Sequence, residues 1–366
     1  MAKKKEPASA APAKCFFAEE LKGEEPLARA TGLKLCRLAG ELAAHQPWTR
    51  LAETNLVFVH DAVRGENDAC SVMGMLGEVF AVTVYLGAEG FHFFQKLQRS
   101  ASISAGDFFA GQRSLSVEYV PRKELTRQDR ELLDAAAYPT ERGSFYPRFR
   151  SVRPGYQPWY ATQGEGRILV GCLDAVAAFC QVLTRPDCPD FWERENVYPL
   201  VEHDESGYDL RPVEAPKATP ATPAPVALDE ARIRRILERQ PGAWGPIEAD
   251  HFHTAARVGG PHERPACAKF AIAADSGNGF AFPPVTGMPE KTTGELLADA
   301  ILTAVETTGA IPKEIRVRSA EHKALAEGLA KALGSKVTVV KSLPALDAVK
   351  RSLLEMLGDT GPIAMR

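Results

Sequence analysis

The 366-residue chain lacks a long apolar run, a strong charge imbalance and any CxxC cysteine pair. No stretch reaches the roughly 18 uninterrupted apolar residues that a transmembrane helix needs. The net charge of −3 excludes a global field that would recruit nucleic acid or an acidic membrane surface. Binding to a polyanion would therefore need a local basic patch. We predict a soluble cytoplasmic protein with no membrane partner.

The seven cysteines are odd in number and widely spaced. This pattern argues against a disulfide framework and is typical of free thiols in a reducing compartment. Cys172 and Cys180 fall in an apolar stretch that predicts a helix, so we interpret both as core side chains.

Composition divides the chain into four parts. Residues 1–24 begin with MAKKK, and proline and alanine follow where a signal peptide would have an apolar core, so we predict a disordered tail. Five prolines with alanine and threonine lie between Pro212 and Val226 and favour an extended spacer. The predicted arrangement is a first domain at 25–211, a Pro/Ala/Thr linker at 212–227 and a second domain at 228–366.

The second domain has the clearer pattern. A helix starting at Asp229 precedes elements in the order β-β-β-α-β-α-β-α, with strands at 247–253, 269–274, 279–285, 314–318 and 336–341 and helices at 292–308, 320–333 and 344–357. A strand meander followed by alternating helices and strands predicts a mixed sheet with right-handed crossovers. This order resembles the ribonuclease-H-like fold of many nucleases, integrases and transposases.

The sequence of the first domain predicts helices at 27–45, 89–99, 126–137 and 166–183. It predicts strands at 55–59, 69–73, 79–86, 115–120 and 148–152. We therefore expect an α+β protein of two mixed α/β domains. The two series are similar enough to leave a structural duplication open, although no residue-level repeat is visible.

Several segments resemble an uncharacterised bacterial two-domain family. The first domain does so in CSVMGMLGEVFAVTVYLGAEGF and FRSVRPGYQPWY, and the second in DSGNGFAF, PKEIRVRS and VTVVKSLPALDAVKRSLLEML. Both domains of that family have unknown function. The resemblance implies a bacterial cytosolic setting and no particular activity.

A ribonuclease-H-like nuclease needs clustered carboxylates that hold two metal ions. Asp250 on the first strand and Asp347 or Glu355 on the last helix would fit that pattern. The fourth strand departs from it, because it carries Arg316 and Arg318 on one face, and guanidinium groups repel cations. The sequence therefore leans away from an enzyme.

Two other patterns have ordinary structural interpretations. His251 and His253 share a strand face, with His262 and Cys267 further on, but tight zinc-ligand pairs are missing, so we predict no metal and no cofactor. The glycines of the segment 74–77 predict a hairpin turn rather than a phosphate-binding loop, because a strand follows where a helix would be needed.

The most distinctive segment, 146–160, interleaves arginines with aromatic residues and prolines. That mixture suits nucleotides or single strands, and equally a rigid loop whose aromatics fill the core. The candidate binding residues are Arg148, Arg150, Arg153, Tyr156, Trp159, Arg316 and Arg318. We favour a non-catalytic binding or accessory protein with a protein or nucleic-acid partner. The alternative is a divergent metal-dependent nuclease or phosphotransfer enzyme.

Overall fold

The computed structural model describes residues 14–100, 102–139, 144–186, 188–204, 207–217, 226–357 and 362–364. Across these ranges the chain has mixed α/β content in two domains, which confirms the α+β prediction. No helix in the described ranges has the length and apolar character needed to cross a membrane.

The first domain is built on a seven-stranded sheet of order β10-β9-β3-β4-β5-β7-β8. Neighbouring strands are antiparallel except for the parallel pair β3 and β9. Its elements are β1 (Cys15–Phe16), β2 (Leu27–Ala28), α1 (Arg29–His45), β3 (Val57–Asp61), β4 (Glu66–Met73), β5 (Phe80–Tyr85), α2 (Gly87–Arg99), β6 (Ser102–Ser104), α3 (Ala105–Gly111), β7 (Ser114–Pro121), α4 (Arg127–Ala135), β8 (Phe145–Val152), α5 (Gln163–Val182), β9 (Val197–Asp204) and β10 (Gly207–Glu214).

Helix α5 is the central helix of the first domain. It begins with a capping box, in which the Thr162 hydroxyl accepts from the Glu165 amide at 3.3 Å and the Glu165 carboxylate accepts from the Thr162 amide at 2.8 Å. Leu169, Leu173 and Val176 follow at helical spacing and are buried against the sheet and α1. Local capping and apolar periodicity thus specify the same helix.

The prediction of a disordered tail is wrong for residues 14–24. Residues 14–24 are described, and β1 pairs with β2. Phe16, Phe17 and Leu21 are buried in the main core of the first domain, which stabilises this segment by removing apolar surface from water. Residues 1–13, the rest of the predicted tail, lie outside the described residues.

The linker also begins later than the predicted residue 212. Strand β10 continues to Glu214, and Pro212 lies opposite Pro199 of β9. An edge strand tolerates proline, because the missing amide can be on the side without a neighbouring strand. Residues 218–225 lie outside the described part of the chain.

The second domain contains a five-stranded sheet of order β14-β13-β12-β16-β17. Strand β13 is antiparallel to both of its neighbours, β12 and β14, and β12, β16 and β17 are parallel. The elements are α6 (Glu230–Glu238), β11 (Gly242–Trp244), β12 (Ile247–Val258), β13 (Ala266–Asp275), β14 (Val285–Gly287), α7 (Thr293–Thr308), β15 (Ala310–Pro312), β16 (Glu314–Val317), α8 (Ala320–Leu333), β17 (Lys336–Val339), α9 (Pro344–Met356) and β18 (Pro362–Ala364).

The main sheet and its helices follow the predicted β-β-β-α-β-α-β-α order. Helices α7 and α8 contribute to one apolar cluster, and α9 packs against Phe252 and Ile272 in another. The third strand begins at Val285 instead of residue 279. The reason lies in Pro283 and Pro284, which have no amide hydrogens to donate to a ladder.

The two sheets differ too much for the first domain to repeat the second. In the first domain the fourth strand of the predicted series, β7, pairs antiparallel with β5. In the second domain the corresponding strand, β16, pairs parallel with β12. The first domain does contain the β-β-β-α-β-α-β-α order, with β6 and α3 inserted after α2, but its strands pair differently, so the sheets do not support a duplication. Periodicity along each strand carries no information about which neighbour it pairs with.

Candidate functional site

Arg150 is a buried ion-pair partner in the first domain. Its guanidinium donates to both oxygens of Asp129 at 2.9 and 2.7 Å and lies 4.8 Å from the centre of the Tyr160 ring. Burial raises the pKa of Asp129, but hydrogen bonds and charge from Arg150 outweigh burial and leave that pKa below its ordinary value. Arg150 is therefore occupied inside the fold.

The neighbouring arginines are paired as well. Arg148 donates to Glu118 on the adjacent strand, with an Nε–Oε2 distance of 3.0 Å. Arg153 contacts Glu24 at 2.6 Å and Glu165 at 2.8 Å. The arginine-aromatic segment thus uses its charge on local acids.

Tyr156 and Trp159 lie where the two domains meet. The Tyr156 hydroxyl donates to Glu290 of the second domain. The Trp159 indole donates to the Glu20 carbonyl at 2.8 Å, and Arg257 of the second domain lies 5.6 Å from its ring centre. These two aromatic residues help to hold the domains together.

Arg264 completes this contact from the second domain. It is 9% exposed and donates to the Ser151 carbonyl at 3.2 Å and the Tyr160 carbonyl at 3.3 Å. Its guanidinium also lies 3.4 Å from Glu24 and 3.5 Å from Glu165. We call Arg264 and its partners, together with Tyr156 and Trp159, the interdomain joint. The partners of Arg264 are Ser151, Tyr160, Glu24 and Glu165. Sequence reasoning missed Arg264, because one arginine in a short loop carries no recognisable pattern.

Arg318 joins two carboxylates at the end of β16. Its Nε is 3.1 Å from Asp250 and its Nη2 is 2.6 Å from Asp347. Arg316 pairs instead with Glu314 at 3.1 Å. The predicted acids Asp250 and Asp347 do converge, but on a guanidinium, while Glu355 lies further along α9.

A histidine cluster lies beside this ion-pair network. The His322 Nε2 is 2.7 Å from the His251 Nδ1 and 3.8 Å from an Asp250 oxygen. The His322 Nδ1 is 3.0 Å from the Ser319 hydroxyl. Burial first, and the charge of His322 second, lower the pKa of His251 to about 3, so His251 is neutral at pH 7.

The four residues that the sequence offered as a zinc alternative do not form one group of neighbouring ligand atoms in the described chain. His251 instead meets Asp250 and His322, and His262 lies with Glu19 and Glu20. Cys267 is buried, and its amide donates to the Gly155 carbonyl of the first domain at 2.8 Å. His322 was missed, because 71 residues separate it from its partner.

A cavity of about 440 Å³ lies between the β3–β4 hairpin and one face of α5. The hairpin contributes Val59, His60, Asp61, Ala62, Val63, Arg64 and Asp68, and the helix contributes Gly164, Arg167, Ile168, Gly171 and Cys172. Arg64 lies 2.7 Å from Asp61 and also pairs with the fully buried Asp68. Burial raises the pKa of Asp68, although Arg64 acts against that shift.

The glycine-rich segment 74–77 connects β4 to β5, in agreement with the predicted hairpin turn. The Gly77 amide donates to the Gly74 carbonyl at 2.9 Å. Both glycines have positive φ, of 134° and 77°, which side chains rarely adopt.

Family models match both halves of the chain. A domain of unknown function, DUF7309, matches residues 33–198, and a second, DUF6930, matches residues 232–354. The chain is a member of a two-domain family of unknown function. A search of the curated proteins gave no match. The cavity lies in the DUF7309 domain, and the Arg318 network and histidine cluster lie in the DUF6930 domain.

Proposed function

We propose that this protein is a non-catalytic binding protein. Its ligand is a small molecule with one acidic group and an apolar part, bound in the cavity of the DUF7309 domain. The observation that carries this proposal is the cavity face of α5, where two glycines flank an exposed arginine. The volume of about 440 Å³ falls within the range of small-molecule sites.

Gly164 and Gly171 are evidence for a ligand site, because the packing of the protein does not require glycine at either position. A Cβ at either position would meet nothing within 4 Å. Glycine inside a helix costs about 0.5–1 kcal/mol relative to alanine. The two glycines lie seven residues apart and so on one side of α5. Their small size keeps the cavity open without serving the core.

The charges on the wall support an acidic ligand group. Arg64 is neutralised by Asp61 and Asp68. Arg167 is exposed, and no acid within the described ranges pairs with it. A guanidinium binds carboxylates and phosphates through paired donors. Ile168 and Val63 provide the apolar contact for the rest of the molecule.

The alternative function, a metal-dependent nuclease, has less support than the binding function. The sheet order β14-β13-β12-β16-β17 supports the proposal that the DUF6930 domain has a ribonuclease-H-like fold. A two-metal site there would need Asp250 and Asp347 to supply enough negative charge for two cations. Arg318 contacts both carboxylates at 3.1 and 2.6 Å and stays charged at any physiological pH, so their charge is already compensated.

The test is a thermal-shift panel of small carboxylates and phosphate esters on the full chain, followed by calorimetry of the compounds that stabilise it. A true ligand at 100 times its Kd should stabilise the protein by about 2.7 kcal/mol. Gly171→Leu should abolish this shift, because its side chain fills the cavity. Arg167→Ala should weaken binding at least tenfold, the ratio that corresponds to about 1.4 kcal/mol.

Arg234→Ala, which removes an exposed arginine on α6, is the matched control and should bind as the unmodified protein does. A panel without a saturable ligand, or equal binding by Gly171→Leu, would contradict the proposal.

A further inference from the structure

We propose that Asp250, His251 and His322 form a binding site for a single divalent transition-metal ion of the Zn²⁺ type. One ligand atom from each residue lies within 4.8 Å of the other two. This site goes beyond the proposed function and does not depend on it. It also differs from a two-metal carboxylate site, because two of its three ligands are imidazoles.

The backbone positions all three side chains from two elements. Asp250 and His251 lie just beyond Glu248, the last residue of β12 that pairs with β16. His322 lies in the first turn of α8, which Ser319 caps by accepting from the His322 amide at 3.1 Å. The site is therefore at the carboxyl end of parallel strands, where a sheet opens a crevice for ligands.

The two imidazoles are close enough to share one ion. Their facing nitrogens are 2.7 Å apart. Two nitrogens on a tetrahedral zinc ion with bonds of about 2.1 Å are separated by about 3.4 Å, so a shift below about 1 Å suffices.

Each imidazole can present a lone pair. In the metal-free pair one nitrogen donates its hydrogen to the other, and that hydrogen must move when both bind an ion. The Ser319 hydroxyl, 3.0 Å from the His322 Nδ1, can accept a hydrogen there and leave the Nε2 free. The His251 proton then moves from its Nδ1 to its Nε2, with no net release.

Asp250 is oriented by its other contacts. One carboxylate oxygen accepts from Arg318, and the second accepts from the His251 amide at 2.9 Å and faces His322. Metal-binding carboxylates are commonly held by such outer hydrogen bonds. Arg318 therefore holds this ligand in place.

The surrounding charge selects the kind of ion. Lys269 lies opposite His253 in the neighbouring strand β13, and the Lys350 ammonium group of α9 lies 5.2 Å from the centre of the Phe252 ring. These two positive charges oppose any cation bound mainly by electrostatic attraction. Mg²⁺ binds in that way through oxygen ligands, whereas Zn²⁺, Co²⁺ and Ni²⁺ bind imidazole nitrogen strongly. The site should therefore take a transition metal and reject Mg²⁺.

The site lies next to the first domain. Helix α3 packs against β12 so closely that a Cβ on Gly106 would be 2.1 Å from the His253 carbonyl. A bound ion would thus lie close to the interface between the domains, a common place for binding sites.

The experiment titrates tag-free, chelator-treated full chain with Co²⁺, followed by visible absorption, and then with Zn²⁺ as competitor. We expect one Co²⁺ per chain, displaced by Zn²⁺ and not by millimolar Mg²⁺. His322→Gln and Asp250→Asn should each lower the affinity at least about tenfold. His253→Gln, on the same strand outside the cluster, should leave it unchanged.

Circular dichroism establishes whether each variant is folded. If His322→Gln does not fold, Asp250→Asn provides the test of the site. Absence of stoichiometric Co²⁺ binding, or unchanged binding in the folded variants, would overturn the site. Gly171→Leu should titrate normally with Co²⁺, so failure of this site and failure of the ligand cavity are distinguishable.

Discussion

Buried arginines take their roles from the acids around them. The sequence indicates Arg150 as a candidate binding residue, but Asp129, 21 residues earlier, holds it inside the fold. Arginine-aromatic spacing is visible in a sequence, whereas the partner of each arginine depends on tertiary contacts. This is why the sequence could propose these residues and could not decide between a ligand surface and internal ion pairs.

The Arg150–Asp129 pair gives a stability prediction. Asp129→Asn leaves a buried guanidinium without its compensating charge, so the free energy of unfolding should fall by about 3–5 kcal/mol in urea denaturation. Glu131→Gln breaks the exposed pair of Arg127 and Glu131 and should change it by less than about 1 kcal/mol. Equal effects of the two changes would be inconsistent with a buried pair.

At the scale of elements, the sequence predicted the helices best. Helix α7 was expected at 292–308 and forms at Thr293–Thr308, because its capping box and apolar spacing are both local signals. Strands β9 and β10 were missed, since their residues lack a clear alternation and each strand carries a proline. The cavity was missed for a related reason: it joins a hairpin to a helix about 100 residues further along.

The glycines of α5 yield a paired prediction at this scale. Gly171→Ala should raise the free energy of unfolding by about 0.5–1 kcal/mol, because the added methyl group meets open space. Gly166→Ala should lower it, because its Cβ would lie 2.4 Å from the Leu27 side chain. Chemical denaturation measures both. Destabilisation by Gly171→Ala would show that this position is packed.

At the scale of the whole molecule, the interdomain joint should keep the two domains associated even after the linker is cut. We expect limited proteolysis to cut within the predicted boundary 212–228, after β10 ends at Glu214, because proline-rich spacers carry few contacts. The two fragments should nevertheless co-elute in size exclusion, since Arg264 is buried among acceptors from the first domain. Arg264→Ala should allow them to separate. First cleavage within 40–200 would instead contradict the boundary.

The joint also predicts a dependence on acid. Burial raises the pKa of Glu165, but Arg153 and Arg264 outweigh it and leave the pKa below its ordinary value. A lowered folded-state pKa gives stability that is complete above the unfolded value of about 4.3 and is lost as pH falls through the folded value. Co-elution of the nicked fragments should therefore weaken as the pH falls through the lowered pKa of Glu165. The dependence should be shallower in Glu165→Gln.

The most direct test of the non-catalytic account is an incubation of the purified chain with single-stranded, double-stranded and hybrid nucleic acids in Mg²⁺, Mn²⁺ or Zn²⁺. The account predicts no cleavage by the unmodified protein, because Arg318 compensates both Asp250 and Asp347. Metal-dependent cleavage that disappears in Asp250→Asn would contradict it.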